Sequence, residues 1–155
     1  MRAHVLVATF PMAVLTVTSP VTAADALCKP LREFIGSVKP DETHELKFHT
    51  IWGGGFTGSD QDTMFEKACE HNQYGPAKGL CAFFMEGGAV EFAGENAKSV
   101  IRCLSSKTRF PSGILHGISY SLTFGTDNRG SHVDIEYSQD EQLGGMVLSI
   151  TAKGY

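Results

Sequence analysis

The chain has 155 residues, a formal net charge of −4, 42% hydrophobic and 19% charged residues, 17 Gly and four Cys. That composition excludes a disordered chain, which would have too little apolar surface to bury, and a coiled coil, which would not carry so much glycine. Only the N-terminus offers a long apolar run, which excludes a polytopic membrane protein, and the mildly acidic chain with scattered positive charge is a poor candidate for gripping nucleic acid.

In chain order, Met1-Arg2-Ala3-His4 supplies a positive start. Val5 to Val17 follows, apolar except for Thr9, Pro11 and Thr16, and Thr18 to Ala24 ends the segment in small residues. Positive start, apolar centre and small-residue exit are the features of a secretory signal peptide. As a helix, the apolar run would span only about 20 Å of a hydrocarbon core of about 30 Å, so a membrane anchor is not expected. We expect cleavage after Ala23 or Ala24, with Ala26 a further option. Lipidation is not expected, because Leu27 rather than a small residue precedes Cys28. The expected organisation is therefore a signal peptide over 1–23 and one exported domain over 24–155. Removing the leader takes away Arg2 alone among the charged residues, which leaves the mature chain more acidic.

Leu27, Leu31, Phe34, Ile35 and Val38 fall on one helical stripe over Ala26–Val38, with regular helix expected from about Cys28 because Pro30 belongs in a first turn. Thr43 to Trp52 alternates as a half-buried strand, with Leu46, Phe48 and Trp52 on one side and Glu45, Lys47 and His49 on the other. A glycine loop over 53–58 leads to a second expected helix, capped by Ser59 or Asp60 and running to about Glu70. Pro76 opens a third helix that Gly87-Gly88 closes. A short extended piece is expected over Ala89–Phe92, and Asn96 is expected to cap a fourth helix. From Leu115 the period changes to two, and three strands follow as a meander with one apolar and one wet face. The expected fold is a two-layer α+β domain in which about four helices cover one face of an antiparallel sheet, built from the meander and the Thr43–Trp52 strand.

The even set Cys28, Cys69, Cys81 and Cys103 predicts two disulfides in an exported chain. Their spacing suits no zinc site. Three pairings are open. We favour Cys69–Cys81 with Cys28–Cys103, since a short loop between two helices would bring the first pair together.

Motifs for chemistry are incomplete. Gly53 and Gly58 have P-loop spacing, but Ser59 and Asp60 stand where lysine and the magnesium-binding hydroxyl belong. Asp60 and Asp62 start a calcium-loop pattern that Met64 and Phe65 end. Gly117-Ile118-Ser119 lacks the glycine after a nucleophile elbow and lies inside a strand. His132, Asp134 and Glu136 share one side of a strand, as Glu45, Lys47 and His49 share one side of another; neighbouring strands would gather them on the wet face. An antiparallel sheet commonly presents such a face to solvent.

These readings favour a small exported binding or inhibitory protein, of the immunity type, over an enzyme. Its expected partner-binding residues are His49, Glu45, His132, Asp134 and Glu136. No metal or cofactor is expected. The partner would be a basic envelope or secreted protein attracted by the chain's negative charge, with no nucleic acid and no stable membrane insertion after leader removal. One alternative is a periplasmic hydrolase or metal-dependent enzyme using the sheet-face His and carboxylate groups. Another is a small-ligand carrier in which Trp52, Phe56 and the glycine loop form the mouth of an apolar cavity.

Overall fold

A computed structural model describes residues 23–126 and 129–155. The expected leader up to Thr22, and Asp127-Asn128 between the first two strands of the meander, lie outside these described residues. Three α-helices, α1 (Ala23–Gly36), α2 (Lys78–Gly87) and α3 (Gly94–Leu104), accompany five strands, β1 (Thr43–Trp52), β2 (Phe65–Glu70), β3 (Ile118–Thr126), β4 (Arg129–Gln139) and β5 (Met146–Gly154). The strands form one antiparallel sheet in the order β2-β1-β5-β4-β3.

The helices lie on one face of this sheet. Leu31, Phe34 and Ile35 of α1, Leu80 and Phe84 of α2, and Val100 and Ile101 of α3 are fully buried. So are Leu46, Phe48, Val133, Ile135, Leu148 and Ile150 from alternate positions of β1, β4 and β5. Each such side chain contributes roughly 1.5–3 kcal/mol by leaving water. Phe48 and Phe84 stack across the two layers with ring centroids 4.8 Å apart. Gly88 is required beside them, because a Cβ there would lie 2.7 Å from the Phe48 ring.

Disulfides join Cys28 to Cys103, between α1 and α3, and Cys69 to Cys81, between β2 and α2. The favoured pairing is therefore found, but the second bridge links a strand to a helix rather than two helices.

The sheet has five strands rather than four, and the helices number three among the described residues rather than about four. The difference lies in the segment expected as a helix up to Glu70. Residues 59–64 are loop, and Phe65–Glu70 pairs with Lys47–Trp52 as β2. Glu66, Lys67 and Ala68 suit a helix locally, but six residues add little helical stability alone, while pairing with β1 satisfies their backbone groups. Pro30 sits inside α1 and removes the N–H that would bond the Ala26 carbonyl. Asn96 lies within α3 rather than at its cap, and its amide side chain makes both hydrogen bonds of a peptide group to Ala89, accepting at 2.9 Å and donating at 2.7 Å. The Ala89–Phe92 stretch is a turn leading into α3, not a strand.

Candidate functional site

The wet face of the sheet carries the five residues expected to bind a partner. Its order of strands decides how they meet. β5 lies between β1 and β4, so Thr151 separates Glu45 from Asp134, and Ser149 separates Lys47 from Glu136. Glu45 and Asp134 stand two interstrand spacings apart, about 10 Å. The two expected groups thus share one face without converging. Within each group the polar atoms find local partners. Ser121 donates its hydroxyl to Asp134, Thr123 Oγ1 lies 3.1 Å from His132 Nδ1, and Lys47 Nζ lies 3.4 Å from Glu45. The His132 ring packs against Tyr155 at 4.9 Å. Glu136 faces Ser119 on one side and Ser149 on the other.

His49 behaves differently from its neighbours, because it is buried. Its Nδ1 lies 2.6 Å from Oδ2 of Asp140, at the start of the β4–β5 loop. Asp140 also accepts the backbone N–H groups of Gln142 and Leu143 through Oδ1. Burial pushes the Asp140 carboxyl up, but the Leu143 amide, the His49 imidazole and the Gln142 amide together outweigh burial and hold it below the usual carboxylate range. An ionised carboxylate only accepts, so His49 Nδ1 carries the proton and Nε2 is left as a lone pair or a second donor. Among the described residues Nε2 has no hydrogen-bond partner, and the Glu70 carboxylate stands 3.8 Å away.

The glycine loop closes over this pair. Phe56 stands edge-on to the imidazole with centroids 6.5 Å apart. Its N–H donates to Glu66 at 2.7 Å, and the next N–H, of Thr57, donates to the Leu143 carbonyl at 2.8 Å. Gly145 ends the β4–β5 loop with φ +73, and its carbonyl accepts the Asp140 N–H. A Cβ at Gly145 would strike the Thr50 carbonyl, so this loop admits glycine alone. An aspartate that orients a histidine is half of a general-base arrangement. Here the outer nitrogen is buried, no hydroxyl among the described residues bonds it, and every cysteine is in a disulfide. Among the described residues, no three His, Cys, Asp or Glu side chains gather as a metal site requires. The pair ties β1 to the β4–β5 loop.

At the end of the sheet where β1 finishes, the helical side is left uncovered. Trp52 stacks on Phe65, its cross-strand partner, with centroids 6.3 Å apart and the planes 16° from parallel. Trp52 also lines a depression of about 250 Å³ with Phe92, Ile114 and Met146. Phe92 and Ile114 continue into an adjoining depression of about 330 Å³. Trp52, Phe65, Phe92 and Ile114 are 50%, 48%, 54% and 66% exposed, which is unusual for neighbouring large apolar side chains. Glu91 and Glu95 line the two hollows, and no Lys or Arg among the described residues lines either.

Trp52 belongs to this end, whereas Phe56 covers His49 on the opposite face, so the two do not form one cavity mouth. Sequence reasoning missed the apolar end because Phe92 and Ile114 lie outside helices and strands, where no periodicity assigns them a side. It missed Asp140 because a loop aspartate near two glycines reads as a turn residue. Compared with known protein families, with curated proteins and with solved structures, the chain matches none.

Proposed function

We propose that this chain is a small binding protein of an oxidising compartment outside the cytoplasm, and that it docks a basic protein on its Trp52–Phe65–Phe92–Ile114 end. The supporting observation is the cluster itself. Four large apolar side chains stand exposed together, on a scaffold fixed by two disulfides. Tryptophan and phenylalanine bury much area for few rotatable bonds, which suits the centre of an interface. The acidic side chain of Glu91 and the chain's negative charge favour a partner with Lys or Arg around an apolar projection. Two disulfides are compatible with a periplasmic or extracellular setting. Among the described residues no helix is long and apolar enough to cross a membrane.

The test compares surfaces rather than seeking any bound protein. A basic envelope protein captured by the wild type is expected to be retained by Asp134→Lys/Glu136→Lys and lost by Trp52→Ser/Ile114→Ser. Capture that survives the second pair, or no partner at any ionic strength, removes the proposal.

A further inference from the structure

A separate cleft of about 410 Å³ opens between α2 and α3, with the N-terminal part of α1 at one end. That size falls in the range of small-molecule sites. Leu27, Phe83 and Phe84 supply an apolar floor, and Ser99 and Arg102 of α3 bring donors to one wall. The walls are fixed before anything binds. The Cys28–Cys103 disulfide holds α1 to α3, and the double hydrogen bond of Asn96 to Ala89 holds the chain leaving α2. A cleft held open in this way spares a ligand the cost of ordering it.

The charge at the rim is unbalanced. Glu95 is already matched by Lys98, whose Nζ lies 2.6 Å from Oε1 and is itself buried. Arg102 reaches the other Glu95 oxygen only at 3.9 Å and lies over the Phe110 ring. Of the two charged side chains that line the cleft, Glu95 is thus paired by Lys98 from outside it, which leaves Arg102 as the less neutralised of the two. Guanidinium is the side chain best shaped to take a carboxylate with two parallel hydrogen bonds. We propose that the cleft binds a small organic carboxylate with an apolar body, its carboxylate on Arg102 and Ser99 and its body on Leu27, Phe83 and Phe84. This site does not depend on the docking end: the two share Glu95 alone, while Arg102, Ser99 and the apolar floor lie outside its hollows.

Octanoate titrated into the ¹⁵N-labelled protein provides the probe, with octan-1-ol as the uncharged control. Saturable amide shifts are expected at Ser99, Arg102 and Phe83, with octan-1-ol binding about tenfold or more weakly. Arg102→Gln, at a half-exposed position, is expected to weaken octanoate by a similar factor and leave octan-1-ol unchanged. Ser99→Trp, which fills the cleft, is expected to abolish both when its circular dichroism matches the wild type. Equal binding of acid and alcohol, shifts confined to Trp52, Phe92 and Ile114, no saturation at millimolar octanoate, or no effect of Arg102→Gln each overturns the assignment.

Discussion

Asp134 on the open sheet face and Phe92 at the apolar end are both exposed, yet they stand in opposite positions energetically. Asp134 has Ser121 for a neighbour and water for the rest of its capacity, so nothing about its environment calls for a partner. Phe92 has no comparable compensation, because water orders around an apolar ring wherever it is exposed. A polar face displayed on a sheet is the ordinary consequence of alternation. Neighbouring aromatic side chains left in water at the sheet's end are not, and that difference separates a solvated surface from a docking one.

The comparison predicts distinct consequences, beginning with the scaffold that both regions share. Replacing Cys28 and Cys103 by serine opens a loop closed over 75 residues and is expected to cost about 4 kcal/mol in denaturant unfolding. The same change at Cys69 and Cys81, 12 residues apart, is expected to cost about 3 kcal/mol. A smaller loss for the longer loop would mean that the helical layer is not held by that bridge.

Asp140→Ala leaves the His49 Nδ1–H and two backbone amides without their acceptor, and is expected to destabilise by about 3 kcal/mol. The pH dependence has a definite sign. Since the folded carboxyl lies below its ordinary value, its contribution is complete above the unfolded pKa, about 3.9, and falls away as the pH drops through the folded pKa. The stability gap between wild type and Asp140→Asn is therefore expected to be flat above about pH 5 and to narrow in acid. A gap that widens on acidification would contradict the geometry of the pair.

Trp52→Ser is expected to change stability by no more than about 1 kcal/mol, because half the side chain is already in water, while weakening partner binding by about 2 kcal/mol. At the smallest end, Ser121→Ala on the open face is expected to alter stability by no more than about 0.5 kcal/mol and binding not at all. Similar binding losses from Trp52→Ser and Ser121→Ala would erase the distinction between the two regions.

Much of the architecture was legible because alternation and helical stripes report one buried face directly. Leu27, Leu31, Phe34, Ile35 and Val38 are all buried along one side, and the meander and the Thr43–Trp52 strand form as expected. β2 was not legible, since Glu66-Lys67-Ala68 has helix-forming composition and its strand state depends on pairing with distant residues. Strand order was hidden for the same reason, and with it the separation of about 10 Å between the two polar groups on the wet face. His49 was picked out as polar and outward, which its position in β1 supports. Its burial depends on Phe56 and Asp140, from two loops whose closure no local pattern encodes.

The most direct test places a photoreactive benzoylphenylalanine at position 114 in one protein and at position 119 in another, and irradiates each with the captured partner at low and high salt. The account predicts a covalent adduct from 114 that weakens as salt screens the basic rim, and none from 119 on the open face. An adduct from 119 with none from 114 would contradict it.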